Sequence, residues 1–536
     1  MPKLIGSSIR TSRISRWRPD SRRQNRFFAL PVWVILLTLI SLATPACLGQ
    51  KNGPPKASGV VDPRTVAEFE VQGWAWTDDP ENVISPDGKH LLAVLNNEER
   101  KAVAVIPLEG ETHDPKVLHE APAGWAEFDG LDYRTLGWTG DGIPLFVVFG
   151  YQNRGPNTGK RGVAIWSGKG GEGVAQELAF IDLPGGNLHA SVYLREEDKV
   201  FISVSTAIYS YDLRNGRVTP VKTALPEYDG LFYASLSPSG KHFVYELYEE
   251  GKRGIYILDA ATGKEEALLA TGPTFSFVPL WSPDGKYVAA YTADRKEGAG
   301  GTSFDDYDCF LGSAGPLTIA PAITIVDTSG KVVGTIRVEG KYLANMRWSP
   351  DSKSIAFVTG NRVGAEENQY DEMGIPDIRW DGIWIAGAGA GSGPREAAAL
   401  APSAGEGLSF AYPCDFDAAG SGVFYQYGDM ESISVWYAAQ GKAGDAGGPP
   451  APVKVADGYW HPQYSNPKFG DYLGALISGD EMTELWLLGP EMRKVDGWSA
   501  MSITGLLGFN EDTILVFHKE EAGPPKILVI SVYDYE

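Results

Sequence analysis

The sequence predicts an all-β protein, a single β-propeller of four-stranded antiparallel blades. Three observations support this prediction: a turn phrase repeats along the chain, glycine (64 residues) and aromatic residues (11%) are abundant, and no long stretch shows convincing helical periodicity. Short strands, tight turns and packed rings explain such a composition better than long helices do. At 536 residues the chain also exceeds the usual size of one compact core, as expected for a repeat array.

The repeated phrase is Ser-Pro, then Asp or Ser, then Gly or Ser, then Lys, and a short apolar strand follows each copy. The clear copies are Ser85–Lys89, Ser237–Lys241, Ser282–Lys286 and Ser349–Lys353. Proline fixes φ for the second position of a type I turn, Asp or Ser bonds its own backbone, and glycine accepts a positive φ. Each copy therefore predicts a hairpin turn.

The unit that begins at Leu231 shows the order of the strands within one blade. Its predicted strands are Leu231–Leu236, Phe243–Tyr248, Gly254–Asp259 and Glu265–Ala270. Five degenerate copies of the first turn bring the candidate modules to nine; they lie at 139–142, 195–198, 417–420, 466–470 and 510–512. Because one module can be a false count, eight blades are the best estimate, with seven and nine left open.

The two ends of the chain are predicted to meet in one blade. The last module has predicted strands near 514–517 and 527–533 but no fourth strand. At the other end of the chain, Val66–Val71 is predicted to be a strand that belongs to no complete blade. Pairing between them would cover both exposed strand edges. We therefore expect the N-terminal strand to close the propeller by joining the last blade.

The phrase Trp-Ser-Pro-Asp-Gly-Lys at 281–286 resembles the WD40-like repeat of TolB-type propellers and of the propeller domain in dipeptidyl-peptidase-type enzymes. The resemblance covers nearly the whole chain after the leader, and it implies a fold rather than a function. TolB-type proteins carry an extra N-terminal domain, and the peptidases add an α/β-hydrolase domain. We expect neither here, and the sequence contains no Gly-x-Ser-x-Gly elbow for a hydrolase nucleophile.

Residues 1–46 are predicted to be an export segment, in which a basic leader precedes the apolar run Phe27–Thr44. Cys47, which follows Ala46, resembles the lipid-bearing cysteine of a bacterial lipobox. Residues 47–64 are predicted to form a flexible tether, and residues 65–536 are predicted to form the propeller. We expect an exported protein, periplasmic or at the cell surface, that meets the membrane only through an anchor at Cys47. Plain secretion and an uncleaved anchor stay open.

The charge of the chain argues against nucleic acid as a partner. The whole chain has 47 Lys and Arg against 68 Asp and Glu; without residues 1–46, which hold 8 and 1 of these, its net charge is −28. So acidic a surface repels phosphate backbones. No phosphate-binding loop or metal-binding His-Glu-x-x-His is present, so we expect no cofactor and no metal, and we assign no catalytic residue.

Two long connections are predicted to form the functional surface. The insertions 293–317 and 360–381 each join the second and third strands of neighbouring blades, which places both on the face where first strands begin, called here the upper face. The Ser-Pro-Asp-Gly turns lie on the opposite, lower face. Aromatic side chains beside carboxylates suit a sugar, a cation or a basic peptide. The candidate ligand-binding residues are Asp305, Asp306, Tyr307, Asp308, Tyr370, Asp371, Arg379 and Trp380.

The function expected from this surface is a binding or protein-interaction scaffold. Its partner would be a protein, a peptide or a glycan on the upper face of a monomeric propeller. The alternative is an extracellular carbohydrate-active enzyme, or another hydrolase or lyase, that uses carboxylates of the two insertions. A third possibility is a purely structural envelope protein, whose insertions are solvated loops that cover blade edges.

Other polar features allow more than one interpretation. A third loop, 151–161, is polar and lies on the same face. Asp-Gly pairs at 129–130, 229–230, 457–458 and 496–497 are predicted where first strands begin, either as turns or as a ring of carboxylates around a cation. Cys309 and Cys414 would be able to form a disulfide after export, and two buried thiols are the alternative.

If Cys47 carries a lipid, cells fed a fatty-acid probe will label the protein, and Cys47→Ser will abolish the label because serine offers no thiol for acyl-glyceryl attachment. The measurement is the probe signal of the purified protein on a gel. A wild-type protein that takes up no label would contradict the prediction, as would a variant that keeps it.

Overall fold

The structure is a computed structural model. It describes residues 61–70, 74–76, 83–96, 101–109, 113–121, 131–152, 155–168, 175–183, 187–204, 207–222, 232–249, 252–270, 274–296, 310–311, 318–362, 378–389, 393–399, 410–428, 432–439, 451–460, 468–469, 472–479, 483–489, 492–500, 502–510, 513–519 and 525–533. In this part of the chain all regular structure is β-strand, and no helix is long and apolar enough to cross a membrane.

The N-terminal strand β1 covers Val61–Glu70, and four sheets of four antiparallel strands follow it. Blade 1 contains β2 (Trp74–Trp76), β3 (His90–Asn96), β4 (Lys101–Pro107) and β5 (Lys116–Glu120). Blade 2 contains β6 (Leu131–Trp138), β7 (Pro144–Tyr151), β8 (Arg161–Gly168) and β9 (Ala175–Asp182). Blade 3 contains β10 (Leu188–Leu194), β11 (Lys199–Val204), β12 (Ala207–Asp212) and β13 (Arg217–Lys222). Blade 4 contains β14 (Phe232–Leu236), β15 (His242–Glu249), β16 (Lys252–Asp259) and β17 (Glu265–Ala270).

Blades 5 and 6 carry the two insertions. Blade 5 contains β18 (Thr274–Trp281), β19 (Tyr287–Asp294), β22 (Ala322–Asp327) and β23 (Val332–Arg337). A separate small hairpin lies between β19 and β22 in sequence and contains β20 (Phe310–Leu311) and β21 (Thr318–Ile319). Blade 6 contains β24 (Tyr342–Trp348), β25 (Ser354–Arg362), β26 (Ile378–Gly387) and β27 (Arg395–Ala399).

The last three sheets complete the array. Blade 7 contains β28 (Phe410–Phe416), β29 (Gly422–Gly428), β30 (Ser434–Ala439) and β31 (Val453–Asp457). Blade 8 contains β32 (Tyr459–Trp460), β33 (Lys468–Phe469), β34 (Tyr472–Ser478), β35 (Thr483–Leu488) and β36 (Arg493–Ala500). Blade 9 contains β37 (Ser502–Asn510), β38 (Thr513–Lys519) and β39 (Pro525–Tyr533), and its fourth strand is β1.

The sheet topology confirms the prediction of an all-β propeller with four-stranded antiparallel blades. Among the described residues eight sheets have four strands, and the sheet of blade 8 has the same four-strand path with β33 added beside β34. These nine sheets lie within the predicted range of seven to nine blades. The predicted pairing of the N-terminal strand with the last blade is present: β1 runs antiparallel to β39, with Val61 opposite Tyr533 and Glu70 opposite Lys526. Strand β2 of blade 1 also contacts β37 and β38 of blade 9.

The Ser-Pro-Asp-Gly turns form as predicted, and their hydrogen bonds explain the phrase. In all four copies the serine hydroxyl accepts the backbone N–H five residues later (2.9–3.1 Å), and the fourth residue donates its N–H to the serine carbonyl (2.8–2.9 Å). The fourth residue has φ between +60° and +74°, which favours glycine. The hydroxyl of Ser85 also donates to Asp87, and this bond holds the pKa of the Asp87 carboxyl below its ordinary value.

The tryptophan that precedes several of these turns joins one blade to the previous one. In each case the indole Nε1–H donates to a backbone carbonyl of the preceding blade: Trp138 to Val83 (2.6 Å), Trp281 to Ser235 (3.3 Å) and Trp348 to Leu280 (3.2 Å). A carbonyl buried between two sheets needs a hydrogen-bond donor, and the indole supplies one together with a large apolar surface. The tryptophan is therefore an interblade contact as well as a turn marker.

Second strands make a matching contact with the first strand of the next blade. First strands contain β-bulges, as between Phe277 and Leu280 and between Ala344 and Arg347, and a bulge leaves an N–H outside the ladder. Side chains of the preceding blade accept the N–H groups at these two bulges: Glu246 from Val278 (3.4 Å) and Tyr291 from Met346 (2.8 Å). In blade 8, Gln426 likewise accepts the N–H of Trp460 (3.2 Å), although the ladder has no bulge there. The irregular backbone is thus satisfied across the blade boundary.

The apolar cores lie between neighbouring sheets. One cluster combines Phe277 and Ile325 of blade 5 with Leu343 and Phe357 of blade 6. The next combines strands of blade 6 with strands of blade 7. The sheet of blade 6 therefore buries one face against blade 5 and the other against blade 7, which holds the first strands and connections of these blades in fixed relative positions.

Replacing Trp348 by Phe removes the indole donor to the Leu280 carbonyl but keeps most of the ring. We expect the free energy of unfolding to fall by about 1–3 kcal/mol, the usual cost of leaving a buried polar group unpaired. Urea denaturation measures the change. Trp384→Phe in β26 is the matched control, because the Trp384 indole N–H is buried with no hydrogen-bond partner among the described residues. Equal losses in both variants would contradict an interblade role for Trp348.

Candidate functional site

Both long insertions occupy the same kind of connection in adjacent blades. The first joins β19 to β22 in blade 5, and the second joins β25 to β26 in blade 6. In each sheet the first strand starts at the upper face and the second strand returns to it, so connections between second and third strands emerge there. The predicted placement of the two insertions on one face of neighbouring blades follows from this strand order.

The first insertion is fixed at both of its ends. At its start, Asp294 accepts hydrogen bonds from Arg337 (Nη2 to Oδ2, 3.0 Å) and from the Thr274 hydroxyl (3.3 Å). At its end, Ala320 pairs with Leu343 through two backbone hydrogen bonds of 3.1 and 2.7 Å. Leu343 belongs to β24, the first strand of the next blade. The first insertion therefore contacts blade 6 as well as its own blade.

The second insertion rises from a long hairpin whose base contains a β-bulge. Thr359 pairs with Gly382 and Gly360 pairs with Trp380, so Asp381 is the extra residue of the bulge. Its carboxylate accepts hydrogen bonds from the Thr359 hydroxyl (2.8 Å) and the Asn361 amide (2.7 Å). It also forms an ion pair with Lys341, a residue of the connection between blades 5 and 6. Bulges commonly redirect one side chain in this way beside functional sites.

Two of the predicted ligand-binding residues, Arg379 and Trp380, lie on this hairpin. Trp380 is 6% exposed and packs in the core between blades 6 and 7. A Cβ added at Gly360 would lie 2.8 Å from the Trp380 ring and 2.9 Å from the Arg379 carbonyl, so the hairpin needs glycine there. Arg379 is exposed to solvent. The structure thus gives Trp380 a packing role, while Arg379 is accessible to a ligand.

The other predicted site residues lie outside the described residues. They are Asp305, Asp306, Tyr307, Asp308, Tyr370 and Asp371, and their role stays a prediction. Sequence reasoning missed the polar residues at the base of the insertions, namely Asp294, Arg337, Lys341, Thr359 and Asp381. A signal for them exists, because an aspartate lies at one predicted boundary of each insertion, after Ala293 at the start of the first and after Trp380 at the end of the second.

The third polar loop, 151–161, folds onto its own blade. Gln152 is 1% exposed, and its Nε2 lies 3.2–3.4 Å from the carbonyls of Val148, Gly150 and Gly162. Asn157 donates to Glu177 of β9 (2.5 Å), and burial raises the pKa of the Glu177 carboxyl. This loop covers outer strands of blade 2, so we do not include it in the candidate surface.

The two described Asp-Gly pairs do not support a ring of carboxylates. Asp457 ends β31 at the crossing to blade 8, where it accepts the Ser434 hydroxyl (2.8 Å) and pairs with Lys454 (2.5 Å). The expectation that Asp496 begins a first strand is wrong, because Asp496 lies within β36, a fourth strand. Among the described residues no group of three or more His, Cys, Asp or Glu is placed to hold a metal ion. Cys414 is a free thiol that is 3% exposed, and Cys309 lies outside the described residues.

Comparison with known proteins finds only distant structural likenesses. No protein-family model matches the chain, and no curated protein matches it. Solved structures similar to it include dipeptidyl peptidase 4 of Porphyromonas gingivalis (11% identity, 86% of this chain and 58% of that one, TM-score 0.42), an oligogalacturonate lyase in complex with manganese (12% identity, 76% and 97%, TM-score 0.36) and TolB from Acinetobacter baumannii (15% identity, 65% and 76%, TM-score 0.26). These likenesses extend no further than the propeller architecture.

Replacing Gly360 by Ala will destabilise the base of the second insertion, because the new methyl group meets Ile378, Trp380 and the Arg379 carbonyl at 2.6–2.9 Å. We expect a loss of about 1–3 kcal/mol, the usual cost of overpacking, measured by urea denaturation. Gly389→Ala in the same blade is the matched control, since a Cβ there meets nothing within 4 Å. A loss confined to the control would contradict this description of the hairpin base.

Proposed function

We propose that this protein is an exported, lipid-anchored β-propeller that binds a protein, a peptide or a glycan through the two insertions on its upper face. The observation that carries the proposal is that the insertions stand in adjacent blades and are both fixed to the connection between those blades. Arg337 holds the start of one, and Lys341 holds the end of the other. Loops that a rigid scaffold positions side by side are the usual location of binding function.

The charge of the two insertions indicates what they attract. Residues 293–317 and 360–381 together hold 11 Asp and Glu against 4 Lys and Arg. At the base, Asp294 and Asp381 already pair with cations of the propeller, so these two carboxylates are occupied. The remaining acidic and aromatic side chains favour partners with cationic groups or with sugar rings.

The direction of β1 is compatible with an anchor that leaves this surface free. Strand β39 runs from the upper face to the lower face, and Val61 at the start of β1 lies opposite Tyr533 at the end of β39. The chain therefore joins the propeller at the lower face. A tether between Cys47 and Val61 would hold the lower face toward the membrane, with the insertions directed away from it.

The test compares three forms of the full chain. The binding variant combines Tyr370→Ala, Asp371→Asn and Arg379→Ala and leaves the buried Trp380 in place. The matched control combines Lys286→Ala and Lys353→Ala on the lower face, where these side chains are 71% and 80% exposed. Capture of partners from detergent-solubilised envelopes, and binding to immobilised glycans, are quantified for each form.

We expect the binding variant to lose at least tenfold in capture, equivalent to about 1.4 kcal/mol, with an unchanged midpoint of urea denaturation. The control should bind like the wild type. Turnover on an oligosaccharide panel that only the binding variant loses would instead favour the hydrolase or lyase alternative. Equal capture by all three forms would refute the proposed surface.

A further inference from the structure

The connection from blade 5 to blade 6 contacts both insertions within seven residues. This segment, residues 337–343, is called here the crossover. Arg337 pairs with Asp294 at the start of the first insertion, and Leu343 pairs with Ala320 at its end. Between them, Lys341 pairs with Asp381 at the end of the second insertion. One short segment therefore contacts three of the four insertion ends, two through side chains and one through its backbone.

The crossover is itself well ordered by local bonds and burial. The N–H of Lys341 donates to the Val338 carbonyl (3.1 Å), and Gly340 between them has φ of +69°. Two residues later, Leu343 and its partner Ala320 are both fully buried. Lys341 therefore lies two residues before the backbone that is hydrogen-bonded directly to Ala320.

The ion pair at Asp381 is more strongly constrained than an ordinary surface pair. Lys341 and Asp381 are only 27% and 29% exposed, whereas Arg337 and Asp294 are 49% and 59% exposed. Asp381 also accepts two neutral hydrogen bonds, one of them from Thr359, which is fully buried. Loss of Lys341 would leave this half-buried carboxylate without its cation, which costs more than the loss of an exposed pair.

We propose that the crossover couples the two insertions into one surface, and that Lys341 and Asp381 are positioning residues that set the spacing between them. The proposal rests on the proposed function, because it states how the two halves of that surface are held together. Its consequence is that one partner contacts both insertions at once, and that loosening one insertion loosens the other. Neither Lys341 nor Asp381 needs to touch that partner.

Amide hydrogen exchange of the full chain tests the coupling without any ligand. Lys341→Met removes the ammonium group and keeps most of the aliphatic chain. We expect exchange to accelerate about tenfold at residues 361–362 and 378–380 of the second insertion, and also at 318–320, which directly follow the first insertion and end at the bridge between Ala320 and Leu343. The matched control is Lys353→Met in the same blade, whose 80% exposed side chain pairs with Asp351 on the lower face. It should leave both insertions as in the wild type.

Lys341→Arg provides a second variant that tests the proposal even if Lys341→Met destabilises the whole blade. Arginine can restore the ion pair, so we expect wild-type protection at both insertions. Faster exchange at the second insertion alone would show that the insertions move independently and would overturn the proposal. No change at either insertion would overturn it too, as would loss of protection in the arginine variant. Because no partner is involved, these outcomes are separate from success or failure of the binding experiment.

Discussion

The structure depends on hydrogen bonds that cross from one blade to the next. A four-stranded sheet of this size cannot bury its faces alone, and its first strand leaves backbone groups unpaired where bulges interrupt the ladder. Indoles such as Trp348 donate to carbonyls of the preceding blade, and side chains such as Tyr291 accept N–H groups of the following one. Each bond contributes about 1 kcal/mol net, but leaving its buried partner unpaired costs about 1–3 kcal/mol. Such contacts therefore select one arrangement of neighbouring sheets.

The elements that could be predicted from the sequence are those with local causes. The residues that determine a turn lie within about five positions of one another. The turn after Asp259 therefore predicted the fourth strand of the Leu231 unit at Glu265–Ala270, and the structure has the same bounds. The interblade role of tryptophan was missed because its acceptor lies far away in sequence: Ser235 is 46 residues before Trp281, and Leu280 is 68 residues before Trp348. No local sequence pattern predicts which backbone carbonyl accepts a hydrogen bond from such an indole.

The candidate surface likewise has features that the sequence predicts and features that depend on distant contacts. The face on which the insertions emerge could be predicted by counting strands. Successive strands of a blade alternate in direction, so this prediction needs no knowledge of distant contacts. The ion pairs at their bases join residues 43 and 40 positions apart, as from Asp294 to Arg337 and from Lys341 to Asp381, and they became visible only with the fold. Trp380 shows a different limit. An aromatic residue between charged neighbours has the same sequence pattern whether it faces a ligand or, as here, packs over a glycine.

The fixed bases of the two insertions bear on the proposed binding function. Ordering a loop on contact with a partner costs conformational entropy, and that cost falls when the ends of the loop are already held. In blades 5 and 6 the ends are held by charges and buried hydrogen bonds that belong to the scaffold, as Thr359 and Asp381 illustrate. Under the proposed function, the shared crossover makes affinity for a partner depend on the relative placement of the two insertions as well as on the residues that each presents.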